Sequence, residues 1–203
     1  MIDSLIKGLT LGLLLAISVG PIVFTVIKQS LNNGRAGGMA FIAGISFSDI
    51  LLVLLSNLFT GLFEALNTHK KVLAIVASVF LILIGVYYLF FKKAKENTDG
   101  EPEFVFRTRD YVKIFIMGFL INLFNPGIII FWLTTATTFI GESLQNRVVI
   151  FSMALAIALV ADIVKVVLAD KIRKRLTLKN IHRINQVNGA ILIGFGVVII
   201  LLQ

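Results

Sequence analysis

The chain contains no cysteine, which excludes disulfides, thiolate metal sites and thiol-redox chemistry. Histidine is almost as scarce. His69 and His182 both fall at the ends of apolar stretches or between them, so neither forms a Ser/His pair or a zinc-spaced His/carboxylate cluster at depth. No glycine loop with phosphate-binding spacing occurs, and no enzymatic activity, ATP hydrolysis or cofactor is expected. Charge is also thin, with 15% of the 203 residues charged and only 11 of them acidic. Only three prolines interrupt the chain, Pro21, Pro102 and Pro126.

What fills the space is apolar. Hydrophobic residues make up 58% and mean hydropathy is +0.96, against roughly 45–50% apolar and about 25% charged in a soluble domain. Such a chain cannot cover itself with polar surface, which excludes a soluble enzyme. Six apolar stretches emerge at residues 8–27, 36–63, 72–91, 114–141, 148–169 and 184–203. The first five reach or exceed the roughly 18–20 residues that cross about 30 Å of hydrocarbon. The sixth is apolar without interruption only from Gly189 to Leu202. The first has no A-x-A cleavage pattern after it and reads as a retained helix.

The net charge of +8 would suggest nucleic acid in a soluble protein; here it sorts by loop. With six spans, the loops after the first, third and fifth carry fourteen Lys and Arg, and the opposite side carries only Lys7, Lys70, Lys71 and Arg147. The richer side is expected to be cytoplasmic, which leaves both termini periplasmic. The basic stretch 171–183 is expected to meet anionic lipid.

Residues 92–110 read as a cytoplasmic linker between a first half, 1–91, and a second, 111–203, within one transmembrane domain. Three spans per half is odd, so similar halves would be inverted relative to one another. The opening span of each half carries a break, Gly20-Pro21 in the first and Asn125-Pro126 in the second. A mid-span proline removes a helix hydrogen bond and leaves carbonyls free. Lipid does not tolerate such groups unless protein or a wet cavity satisfies them. Two matched breaks therefore suggest a shared central site. Small residues at four-residue spacing (Gly8, Gly12, Ala16, Gly20; Ala36, Ala40, Gly44, Ser48) form ridges for close helix packing, within one chain or in a homo-oligomer. The fold expected is all-α and integral to the membrane, with six helices in two inverted three-helix repeats, each opened by a broken helix.

The few polar groups at depth stand out. Asp49 is position 14 of a 28-residue apolar stretch and has Ile45, Ser46, Leu52 and Val53 at helical spacing, with no basic partner. A charge at a helix centre costs about 2.5–3.5 kcal/mol on insertion scales, which leaves Asp49 either as a site residue for substrate or a coupling proton, or as a neutral carboxyl in an interhelical hydrogen bond. Asp162 and Lys165 share a helix face, either as a structural pair or with Asp162 in proton coupling. Asn122 and Asn125 supply amides beside the second break.

Several of these residues lie in a recognisable pattern. The run Gly12-Leu13-Leu14-Leu15-Ala16-Ile17-Ser18-Val19-Gly20-Pro21, then Ser30-Leu31, Gly34-Arg35-Ala36-Gly37-Gly38, Ala43-Gly44 and Asp49, resembles LysE-type (RhtB-like) translocators. In the second half the likeness continues through Gly118-Phe119-Leu120, Asn122-Leu123, Asn125-Pro126, Phe131-Trp132 and the glycine-rich segment 189–196. Asp162 and Lys165 fall outside these motifs. The resemblance implies export of amino acids or their derivatives across the bacterial inner membrane, driven by the proton-motive force. Gly20, Pro21, Asp49, Asn122, Asn125 and Pro126 would bind substrate, and Asp49 would also handle protons; Asp162, for proton coupling, and Lys165 are site candidates on their own chemistry and not through the resemblance. The alternatives are a metal-cation exporter of related fold and a non-transporting membrane assembly partner.

Overall fold

The computed structural model describes residues 1–17, 21–58, 70–91, 108–173 and 178–201. Seven α-helices account for nearly all of them: α1 (Ile2–Ile17), α2 (Pro21–Leu58), α3 (Lys70–Val86), α4 (Thr108–Leu123), α5 (Pro126–Thr138), α6 (Leu144–Arg173) and α7 (Leu178–Leu201). A wider π-turn over Tyr87–Phe91 extends α3. Of the linker expected at 92–110, residues 92–107 lie outside the described part, and 108–110 already belong to α4.

The bundle is inside-out by the standards of a soluble protein. On α2, Ser48, Asp49 and Ser56 are buried, while Phe47, Ile50 and Leu54 are exposed. Val160, Val164 and Leu168 on α6 face outward in the same way. Exposed apolar residues of this density fit a hydrocarbon surrounding. Ile22–Leu58, Leu144–Lys171 and His182–Leu201 are each long and apolar enough to cross a bilayer. The pair Arg109–Leu123 and Pro126–Thr138, bent by 62°, makes a fourth if counted as one span, and Ser78–Phe91 is apolar but shorter.

Two expected spans meet differently from the sequence reading. The sequence pattern ends the first near residue 27 and puts a loop before the second at 36. Helix instead continues through residue 33 and resumes at 35, with Gly34 as the single non-helical residue (φ 68°, ψ −175°). At this point the chain doubles back. Ser30 Oγ closely approaches Gly38, although eight residues of continuous helix would separate them by about 12 Å. The Gly34 conformation belongs to a region essentially restricted to glycine, so Gly34→Ala is expected to cost about 1–3 kcal/mol. A lowered thermal midpoint of the detergent-purified protein would register this cost.

The principal packing pairs are α2 with α4, α1 with α6, α3 with α7 and α2 with α6. Glycines set the first three crossings. Gly44 lies against the Phe115 carbonyl and Phe119 N, and Gly118 against the Phe41 carbonyl. Gly8 meets Ile150 and Gly12 meets Ile157, so α1 and α6 run parallel; α2 beyond Gly34 and α4 do so too, with Phe41 against Gly118 and, further along both, Asp49 against Asn122. Gly85 and Gly189 meet reciprocally, and Gly196 meets Ser78, making α3 and α7 antiparallel. The small-residue ridges are thus used within the chain. Between the crossings sit apolar clusters around Phe41, Ile42, Ile45 and Ile121, and around Leu52, Trp132, Phe151 and Ala154.

One end of the bundle is tied by polar contacts. Lys7 Nζ donates to Glu142 Oε1 at 2.7 Å, and Arg147 Nε donates to Asn57 Oδ1 at 3.1 Å. The bonds from Lys7 and then Asn146 hold the Glu142 carboxyl below the usual carboxylate range. Lys28 and Arg183 both line a separate groove between α2 and α7.

Candidate functional site

Asp49 is buried in the middle of the α2–α4 crossing. Its Oδ1 accepts from Asn122 Nδ2 at 2.8 Å on α4 and from Trp132 Nε1 at 2.9 Å on α5. Asn122 Nδ2 also reaches the Ile45 carbonyl at 3.3 Å. This arrangement follows from close helix approach: Gly44 and Gly118 bring the backbones together one turn away. Both donors converge on one oxygen of Asp49, which leaves Oδ2 for other partners. The other end of the Asn122 amide, Oδ1, is buried without a hydrogen-bond partner. An unsatisfied buried acceptor costs about 1–3 kcal/mol.

The Asn125-Pro126 break is a capped turn between two helices. Asn125 is the N-cap of α5 with an extended backbone (φ −82°, ψ 109°), and its side chain accepts from Gly127 N at 3.0 Å. Ile128 N and Ile129 N both donate to the Asn125 carbonyl at 3.1 Å. Pro126 has no N–H to satisfy, which suits it to the first helical position. The first backbone N–H groups of α5 are therefore already engaged. What the break still offers is the positive end of the α5 dipole and the Asn125 amide nitrogen.

On α6, Lys165 Nζ donates to Asp162 Oδ1 at 2.9 Å, with both side chains mostly buried. These groups meet around one cavity of about 60 Å³, lined by Asp49, Asn122, Asn125, Asp162 and Lys165 together with Leu15, Ile22, Val23, Ile45, Ile128 and Ala158. Five candidate residues from three helical regions thus converge. The cavity is flanked by the end of α1 and start of α2 on one side, and by the α4–α5 break on the other. Pro21 opens α2 and Pro126 opens α5; Gly20 lies outside the described residues. Among the described residues no group of three His, Asp or Glu is placed to hold a metal ion.

Sequence reasoning missed Trp132 as a partner of Asp49. The signal was available, because a buried indole N–H needs an acceptor and Asp49 was the one unassigned carboxylate. It also missed a second buried polar cluster. Gln29 Nε2 donates to Tyr88 Oη at 3.3 Å, Lys28 Nζ lies 3.4 Å from the Tyr88 ring centroid, and Thr25 Oγ1 donates to Asn188 Oδ1 at 3.4 Å. Asn32 Nδ2 donates to Asn185 Oδ1 at 2.5 Å. The one-turn spacings of 25 with 29 and of 185 with 188 put these groups on single helix faces.

An all-helical, multi-pass membrane protein with ionisable groups around an internal cavity has the architecture of a transporter. The chain belongs to the LysE type translocators, whose family pattern it matches over residues 13–203. Among its relatives, the Bacillus subtilis (strain 168) protein named "Putative amino acid efflux protein YcgF" is 28% identical, over 93% of this chain and 90% of its own length. The "Uncharacterized membrane protein YrhP" of the same organism is 24% identical, over 96% of this chain and 97% of its own. No solved structure shows significant similarity to the chain.

Proposed function

We propose that this protein exports amino acids or close derivatives across the bacterial inner membrane, coupled to protons, with the Asp49 cavity as the substrate site. The observation that carries the reading is the pair of oxygens left over there. Asp49 Oδ2 and the unpartnered Asn122 Oδ1 are acceptors beside one cavity, and a substrate ammonium supplies the donors they lack. Lys165, on the same cavity, is the cation for the substrate carboxylate, since the first N–H groups of α5 are already engaged. In this conformation Lys165 is held by Asp162. A proton taken up by Asp162 releases Lys165 to the substrate, which links proton and amino acid by a change of partner. Membership of a translocator family and the name of the YcgF relative support the substrate class.

The packing scheme supports six spans in two inverted halves. The first helical segment of each half packs parallel against the second span of the other half, α1 on α6 and α4 on α2. The third helices, α3 and α7, cross antiparallel. A twofold axis in the membrane plane requires both features. With the basic side cytoplasmic, the Lys7–Glu142 end and both termini face the periplasm. A cavity of about 60 Å³ holds roughly two waters, so admitting an amino acid requires the halves to rock apart.

The test is transport by the purified chain in proteoliposomes with an imposed pH gradient, screened with labelled amino acids. The expected result is uptake or release of at least one amino acid that collapses with a protonophore. Movement that survives the protonophore would overturn proton coupling and keep the substrate class. Transport of divalent cations and of no amino acid would overturn the substrate class.

A further inference from the structure

A second cavity of about 250 Å³ lies between the first segment of α2 and α7, away from Asp49. Its walls are mostly apolar, with Ile27, Leu31, Val187 and Ile191 among them. Three polar side chains also reach it, Lys28, Arg183 and Asn188. Lys28 and Asn188 are each 2% exposed. The Asn188 amide is engaged at Oδ1 by Thr25, while its Nδ2 is buried with no hydrogen-bond partner. The cavity surface is almost wholly carbon, with Lys28 set over the Tyr88 ring, and the two charged residues that border it, Lys28 and Arg183, are both basic. A buried, unpartnered N–H together with an exposed guanidinium at the same rim favours an anionic acceptor there.

The rim identifies where that acceptor comes from. Ile27 and Val187 are 37% and 58% exposed, so the cavity opens on the outer, apolar face of the bundle, where acyl chains are the solvent. A soluble anion would have to cross that face, whereas a lipid phosphate arrives with its own apolar tail. We propose that this groove binds one anionic phospholipid. Arg183, Lys28 and the Asn188 amide take the phosphate, and an acyl chain lies along Ile27, Leu31, Val187 and Ile191. The bound lipid wedges α2 against α7 next to the buried Gln29–Tyr88 pair and stabilises that contact. This goes beyond diffuse attraction of the basic 171–183 stretch to a charged surface, because it requires a specific groove.

The experiment is thermal unfolding of the full chain in neutral detergent, with phosphatidylglycerol, phosphatidylcholine or inorganic phosphate added. Native mass spectrometry counts retained lipid in parallel. Phosphatidylglycerol is expected to raise the midpoint by about 5 °C beyond phosphatidylcholine, with one lipid retained, and phosphate alone to do nothing. Arg183→Gln and the groove-filling Val187→Trp should each remove most of that difference and the retained lipid. Lys171→Gln, an exposed change outside the groove, should preserve both. Equal stabilisation by phosphatidylcholine, the same shift from inorganic phosphate, or an effect undiminished in Arg183→Gln and Val187→Trp would each overturn the proposal. A loss in Lys171→Gln as large as in Arg183→Gln would do the same, by reducing the effect to surface charge.

Discussion

Asp49→Asn is expected to lower export at least tenfold while the protein still folds and reaches the membrane. The substitution keeps the shape and the Oδ1 acceptor, so the bonds from Trp132 Nε1 and Asn122 Nδ2 remain available. What disappears is the negative charge facing the cavity. A hydrogen bond to a charged group is worth about 1.5–3 kcal/mol, and about 1.4 kcal/mol is a factor of ten, so a loss of roughly ten- to a hundredfold follows. Asp49→Ala is a different experiment, because it strands two buried donors and is expected to unfold the α2–α4–α5 junction. The measurement is initial export rate normalised to immunodetected protein in the membrane. Unchanged export by Asp49→Asn would remove the carboxylate from the mechanism.

That Asp49 stands apart was readable from one fact, a lone charge in the middle of an apolar stretch. Its surroundings were not readable, because Asn122 and Trp132 are 73 and 83 residues away and periodicity reports only neighbours on the same helix. Asp162 and Lys165 show the same limit: their mutual contact follows from a spacing of three, but their place on the Asp49 cavity depends on how α6 packs against α2. The break at Asn125-Pro126 was visible as a break, whereas its chemistry was not. Proline arithmetic points to freed carbonyls, whereas the chain turns Asn125 N onto the Asn122 carbonyl and caps the N–H groups of the next helix with Asn125. Gly34 was visible as part of a glycine-rich run read as a loop. Only the backbone angles show that a single residue reverses the chain, letting helix persist on both sides. The cluster of Thr25, Gln29, Tyr88, Asn185 and Asn188 escaped notice because each member is unremarkable alone, and a polar network has no signature until its helices are brought together.

The helix crossings make a prediction of comparable size. Gly44→Ala and Gly118→Ala are each expected to destabilise strongly, because the added methyl meets backbone in both cases. At Gly44 it meets the Phe115 carbonyl and Phe119 N, and at Gly118 the Phe41 carbonyl. A side chain can change rotamer to make room, whereas a helix carbonyl moves only with its helix. The cost is therefore expected near the upper part of the usual overpacking range, about 2–3 kcal/mol, or a fall in thermal midpoint of roughly 5–10 °C. Gly194→Ala is the control, since nothing lies within 4 Å of its methyl position. There the loss of backbone freedom in the unfolded chain should stabilise by about 0.5–1 kcal/mol. The double variant Gly44→Ala/Gly118→Ala should cost less than the sum of its parts, because α2 and α4 need to separate only once. Separation of these helices also carries Asn122 away from Asp49, so the folded fraction of either single variant should export more slowly than its abundance predicts. If Gly44→Ala proves as stable as Gly194→Ala, the α2–α4 crossing is looser than its glycines imply, and the geometry assigned to the Asp49 site falls with it.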